Sequence, residues 1–584
     1  MKYLRAAAQR PEEPITAEIF SVERLESYAA LLARAQEIST RDSAGVSLHA
    51  RLRANSATLS AAHLTLLARV RAAKAITPAA EWLVDNYYIV EQHIRAVHRD
   101  LSAGFYRQLP KLANGPLRRY PRVYGIAWTI VAHTDNRFEL DTLYRFCRAY
   151  QQVQPLTIGE LWAVAITLRI VLIDNLSRLA AGIVQRLALR ERADALADEL
   201  LPDTLYPRAA SIDFSKPAAE AVPDAFAAQL FQRLRDYDPA TTPALSWLHA
   251  TLAAKGTNAE DIVHGEHQRQ GIVNVSVRNV ITSLRLISAV DWATFFESVS
   301  LVDEYLGEHS RFETFDFASR DLYRHAIEDL ARGSRHNEMD VARFAVDAAA
   351  DAAEERTRNA VPDASPRACE PGYYLIAEGR PKFERLLGYT VPWNQRFARL
   401  VRAWGIAGYA GGVALLSAAA AAAAYRWGAV PHAGTALTAI AVGLTWLATT
   451  DAAVAVINVC VTRLCRPLPL PGLELIDGVP PELRTLIALP VLLTEAAEVE
   501  AHVRRLEVHY LAAQDGEIHF ALVSDWLDAG TESTPADEAV LAVGAAGIAR
   551  LNRRYGTVHG EERFLLLHRR RQWNPQERRW MGWE

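Results

Sequence analysis

The sequence has little cysteine or methionine, four and three in 584 residues, and no strong excess of either charge. Cys147, Cys369, Cys460 and Cys465 are too few and too irregularly spaced for a disulfide framework or a paired-cysteine zinc site. Inert thiols in a reducing compartment are the reading that follows. Lys and Arg number 64 against 68 Asp and Glu, a formal charge of -4, so no global field draws the chain to nucleic acid and any basic site must be local. The residues after Met1, including Lys2, Arg5, Arg10, Glu12 and Glu13, lack the apolar core of a secretory signal, which predicts an N-terminus that stays on the side where it was made. Hydrophobic residues at 50% and charged residues at 23% exclude wholesale disorder, and the length allows several domains.

What is present through residue 390 is helical periodicity with few alternating runs. Thr157 and Glu160 have capping-box spacing, and Leu161, Val164, Leu168, Val171, Leu172 and Leu176 then recur at helical intervals. Arg169, Asp174 and Arg178 interrupt any uncharged span, which predicts an amphipathic helix rather than a membrane crossing. Pro202, Pro207, Pro217 and Pro223 mark a linker between a first helical domain, 1–215, and a second, 216–390, whose helical block ends in a polar stretch at 354–370.

The composition then changes. Ala403 to Tyr425 carries no formal charge and includes the alanine run Ala418 to Ala424, while Trp427 to Thr450 carries only His432. Each is long enough for a hydrocarbon core of ~30 Å, which needs about 20 helical residues, so a two-helix transmembrane hairpin is expected over 403–462. A buried helical pair in a soluble core is the alternative. Arg396, Arg399 and Arg402 precede the hairpin and Arg463 and Arg466 follow it, against Arg426 alone in the turn with Pro431 and Gly434. The bias of basic residues places both flanks in the cytoplasm. Asp451, near the end of the second span, reads as interfacial in preference to a polar group aimed at a partner helix.

Beyond residue 470 strands and helices alternate. Thr485 to Val491, Ile518 to Val523 and Phe564 to Leu567 read as strands, separated by a helix with Val499, Val503, Leu506 and Tyr510 on one face and by a helix opened by Thr534 and Pro535 and closed near Gly556. A β-α-β-α-β order argues for a mostly parallel sheet, whose ligands sit beyond the carboxyl ends of the strands. Asp525 lies at that edge and Asp528 follows it, placed to accept hydrogen bonds from a uracil or a ribose; the bland reading is a solvated turn. Arg569, Arg570 and Arg571 form a local basic cluster that could meet phosphates.

Other candidates weigh toward structure. Arg278, Asp291, Glu297, Asp303, Asp316, Arg320, Asp321 and Glu328 invite a paired-carboxylate glycosidase reading, but helix-surface charges are commoner. His264 and His267 could share a helix face and hold a metal, though no further ligand is evident. Trp82, Trp128, Trp162 and Trp292 could stack on sugar rings or pack a core.

Tyr106-Arg107-Gln108-Leu109-Pro110-Lys111-Leu112, Tyr120-Pro121-Arg122-Val123-Tyr124-Gly125, Gln154-Pro155-Leu156-Thr157-Ile158-Gly159-Glu160-Leu161-Trp162, Asn274-Val275-Ser276-Val277-Arg278-Asn279, Ser524-Asp525-Trp526 and Trp580-Met581-Gly582-Trp583-Glu584 occur in this order. Together they resemble the N-terminal region of cyclic β-1,2-glucan synthases, over nearly the whole chain. The resemblance implies a bacterial inner-membrane glycosyltransferase that moves glucose from UDP-glucose onto a growing β-1,2-glucan chain, assisted by a divalent cation (Mg or Mn). It implies a mainly α fold: a long cytoplasmic helical region, the two-helix transmembrane hairpin, and over 470–584 the first β-α-β-α-β half of a GT-A-like glycosyltransferase domain. UDP-glucose, the glucan chain and the lipid bilayer are the implied partners, with no nucleic acid. Family members continue past the position of Glu584 into the metal motif, the base and further membrane helices. The expectation is therefore a fragment without catalytic or metal residues, inactive alone, in which Asp525, Asp528 and the arginine cluster are what is left of the donor site. A non-enzymatic membrane scaffold derived from such a synthase is the alternative.

Overall fold

A computed structural model describes residues 13–39, 46–200, 222–236, 243–359, 366–426, 435–464, 470–513 and 516–582. The linker prolines Pro202, Pro207 and Pro217, the turn residues Pro431 and Gly434, and Cys465, Arg466, Trp583 and Glu584 lie outside the described residues. The chain divides into two compact units, Met1–His309 with Arg324–Val391, and Ser310–Tyr323 with Pro392–Glu584.

The first unit is helical. Its organising element is α3 (Ile158–Leu200), against which α1 (Leu48–Arg71), α2 (Arg122–His133), α4 (Asp224–Leu234) and α5 (Ala259–Ala289) all pack; α6 (Glu338–Asn359) follows later in the chain. The expected capping box opens α3: Thr157 N–H donates to Glu160 Oε2 at 3.0 Å, and Glu160 N–H donates to Thr157 Oγ1 at 3.2 Å. Glu160 also receives Arg122 Nε at 2.8 Å, with both side chains almost wholly buried. Gln154 Oε1 and Pro155 O take further Arg122 donors at 3.1 and 3.0 Å, so this buried pair leaves little polar demand unmet.

The amphipathic reading of α3 needs correction. Between Leu161 and Ala180 it is buried on nearly every face. Arg169, Asp174 and Arg178 do not look at solvent. Arg51 clasps Asp174 through Nε at 3.0 Å and Nη2 at 2.8 Å, Arg178 Nη2 and Asn55 Nδ2 each add a contact at 2.9 Å, and Arg169 approaches Asp100 at 3.7 Å. Several helices pack around α3, and its charges are matched by side chains of its own and neighbouring helices.

In the second unit, α7 (Trp393–Arg426) pairs with α8 (Thr435–Leu464). Gly405, with φ 51 and ψ -137, kinks α7 about a third of the way along, a backbone state that glycine enters without a Cβ penalty. Ala403–Ala423 and Ile440–Arg463 are long and apolar enough to cross a membrane, and only 11% and 6% of these stretches are buried in the protein. That exposure weighs against the alternative of a buried soluble pair. The second stretch lies further along the chain than Trp427 to Thr450. Asp451 therefore falls near the middle of that stretch rather than at its end: the run after Asp451, from Ala452 to Thr462, is uncharged and continues the helix.

After the hairpin come β1 (Thr485–Leu493), α9 (Ala496–Ala512), β2 (Ile518–Trp526), α10 (Asp537–Tyr555) and β3 (Phe564–His568). The three strands form a parallel sheet in the order β1-β2-β3, as the alternation predicts. Val503 and Leu506 of α9 and Ile548 and Leu551 of α10 pack on Phe520, Leu522 and Phe564, burying one face. Among the described residues no strand pairs with the outer side of β3, which leaves that edge open. α10 begins at Asp537, not at Thr534 and Pro535. Thr534 N–H instead donates to Asp537 Oδ2 at 2.8 Å, folding the preceding residues into a turn. Gly556, at φ 75, ends the helix as expected. A last antiparallel ribbon, β4 (Gln572–Asn574) with β5 (Arg579–Met581), follows the sheet.

Candidate functional site at the carboxyl edge of the sheet

The register of the sheet sets Ser524 opposite His568 and Leu492 opposite Asp525, so the predicted edge residues converge at one end of β2 and β3. Arg569 N–H donates to Ser524 O at 3.0 Å, extending the ladder by one residue and turning the Arg569 side chain over Asp525. The two then form a bidentate pair, Nε to Oδ1 and Nη2 to Oδ2, each at 3.1 Å. With the two side chains 44% and 26% exposed, this pair adds little to stability, but it fixes the carboxylate's orientation. Carboxylate oxygens offer about four lone-pair sites, so Asp525 keeps acceptor capacity toward a ligand.

The other candidates separate. Asp528 Oδ1 accepts from Gly582 N–H at 3.1 Å, which ties the last ribbon to the sheet; a Cβ at Gly582 would lie 1.7 Å from Trp526 O, so only glycine allows this approach. Arg571 turns inward, donating to Leu527 O at 2.6 Å and to Asp537, and lies 5.2 Å over the Trp526 ring. The Arg571 guanidinium holds the Asp537 carboxyl at about 2, below the usual carboxylate range. Of the three arginines only Arg570 is exposed without an ion pair among the described residues.

Sequence reasoning missed four residues here. Ser524 Oγ lies 3.0 Å from His568 Nδ1, the His568 ring meets Trp526 edge to face at 4.6 Å, and Asp537 neutralises Arg571. Burial pushes the His568 imidazole below its ordinary value. His568 stood at the head of the basic run, but its partnership with Ser524 depends on strand register, which no local pattern displays.

The remaining candidates are structural. Asp291 caps the helix at Trp292, Glu297 and Asp303 both bind buried Arg324, Arg320 binds Glu474 and Glu328 binds Arg332. His264 and His267 face Gln268 and Gln232. Trp162 stacks on Phe296 at 4.6 Å, Trp292 donates to Ile287 O at 2.9 Å, and Trp128 is buried. Cys147 is buried, which pushes its thiol up to about 12. For a divalent cation the described residues do not fit: Asp525 faces an arginine, Asp528 faces a backbone N–H, and no group of three or more His, Cys, Asp or Glu among the described residues is placed to hold an ion.

No family model matches the chain. Over 575 residues, 98% of its length, it is 36% identical to the protein named cyclic beta-(1,2)-glucan synthase NdvB from Rhizobium meliloti (strain 1021). The match takes in 20% of that protein, so the chain spans about one fifth of the length of this relative.

Proposed function

We propose that this chain is the membrane-anchored, donor-binding part of a cyclic β-1,2-glucan synthase, a glucosyltransferase that adds glucose from UDP-glucose to a growing β-1,2-glucan chain. The observation that carries this reading is the 36% identity running along 98% of the chain, through the helical unit, the hairpin and the sheet alike. The α7–α8 pair anchors the chain in a bacterial inner membrane, with the flanking arginines and the sheet on the cytoplasmic side. Asp525 accepts from the uracil or ribose of the donor, and Arg570, the exposed member of its cluster, meets the diphosphate. Sugar transfer also needs a base for the incoming hydroxyl and neutralisation of the leaving diphosphate. On this reading the base and the cation site come from outside the chain, which alone binds donor without turning it over.

The full chain in lipid nanodiscs is expected to bind UDP-glucose without releasing UDP, and Asp525→Ala to weaken binding about tenfold. Unchanged affinity removes Asp525 from the site; absence of binding by the wild type sinks the donor reading. Arg569→Ala, which opens Asp525, should change stability by less than about 1 kcal/mol. One observation favours a second reading, a non-enzymatic scaffold: Arg569 already occupies Asp525, and Asp537 already occupies Arg571.

A further inference from the structure

Asp451 stands out in the hairpin. It is exposed, eleven residues after Ile440 and twelve before Arg463, the ends of its apolar stretch. At 1.5 Å per residue that is roughly 16 to 18 Å from either end. The partner helix gives the same depth independently. Thr449 Oγ1 donates to Ser417 O at 3.3 Å and Tyr409 Oη donates to Asn458 Oδ1 at 3.0 Å, an antiparallel register that sets Asp451 level with Leu415, near the middle of Ala403–Ala423.

Its direction around the helix is also fixed. Thr449, buried Ala453 and Ile457, which meets Gly412, form the row turned toward α7. Asp451 lies two residues from both Thr449 and Ala453, close to half a turn away at about 100° per residue, and shares the outer face with Leu444 and Leu447. Among the described residues it has neither an ion pair nor a hydrogen bond. Its side chain is too short to reach an interface, and a charge at mid-depth facing lipid costs about 2.5 to 3.5 kcal/mol on insertion scales.

We infer that the outer face of α8 docks a membrane helix from outside this chain that carries a lysine or arginine at mid-depth, opposite Asp451. Charge complementarity selects this occupant. A second copy meeting on a two-fold axis at this face would set one carboxylate against another, and lipid headgroups lie too far away. The inference rests on the membrane anchoring proposed above.

The test places a photoreactive benzoylphenylalanine at Leu447, one turn from Asp451, in the full chain within the membranes of the cell that makes it. Expected are adducts to a membrane helix outside residues 1–584, a yield lowered about tenfold by Asp451→Leu, and a smaller loss with the near-isosteric Asp451→Asn. Asp451→Arg should abolish the adduct, and exchanging the captured helix's basic residue for aspartate should restore it. Adducts with lipid alone or with a second copy, a yield indifferent to Asp451→Leu, or failure of the charge exchange each overturn the inference. An alkaline carbonate wash separates the two levels. Release of the chain overturns the membrane reading and this inference together, whereas retention with lipid adducts alone overturns only the docking.

Discussion

Helix α3 from Leu161 to Ala180 is about as long as either apolar stretch of the α7–α8 hairpin but carries three charges, and the protein treats the two in opposite ways. From Leu161 to Ala180, α3 is enclosed by protein on nearly all sides, and each charge within that run has a partner from its own or a neighbouring helix. The hairpin buries almost none of its apolar surface, and Asp451 has no partner among the described residues. Helix length therefore does not separate a helix enclosed by protein from one that leaves its apolar surface exposed. The fate of the embedded charges does, because a buried ion is tolerated only where hydrogen-bonding partners replace its water.

The largest expected effect tests the α3 side. Asp174→Ala strands Arg51 and Arg178 beside each other in the core, and should destabilise the chain by about 3 to 5 kcal/mol in thermal or denaturant melts. A loss below about 1 kcal/mol would mean that water reaches the network, and the contrast with the hairpin would dissolve. Next is the hairpin itself. Leu415, 75% exposed, stands level with Asp451, and Leu415→Lys should raise the cost of membrane insertion by about 2.5 to 3.5 kcal/mol while leaving packing inside the first unit unchanged. An insertion assay reads the first effect and protease protection of the helical unit reads the second; an unaffected insertion would place α7 outside the bilayer.

The smallest effect concerns the start of α3, where Glu338 accepts the Ile158 N–H at 2.7 Å. Burial, reinforced by Glu328 and Glu160, raises this carboxyl to about 8 from an ordinary 4.5. Because the folded state holds the proton more tightly, the contribution is full below about pH 4.5 and is lost as pH rises through about 8. Discounted by about half because Glu338 is only partly buried, this shift makes Glu338→Gln more stable than wild type at pH 9 by roughly 2 kcal/mol, with the gap closing toward pH 4. Parallel stability profiles for the two proteins would show that Glu338 stays solvated at the helix start.

Much of this was legible locally. The capping box at Thr157 and Glu160 depends on residues three apart, and the strands around Ile518 and Phe564 announce themselves by composition. Three things were not legible, each for a physical reason. The surroundings of α3 depend on helices distant in sequence, so Arg169, Asp174 and Arg178 looked like a solvated face. The boundary of the second apolar span was set by the first charge met, Asp451, although the helix runs on through it. Asp525, Asp528 and Arg571 looked equivalent as edge polar groups, and only the fold gave one to Arg569, one to Gly582 and one to Asp537.

By itself the sequence determined the helical character of the first 390 residues, the two long apolar segments, the β-α-β-α-β order and the likeness to glucan synthases. These rest on periodicity, capping and composition, which act over a few residues at a time. Tertiary structure alone decided which charges are neutralised and which face outward. That outcome depends on contacts such as Arg51 with Asp174, 123 positions apart, whose strength comes from burial that no short stretch of chain can create.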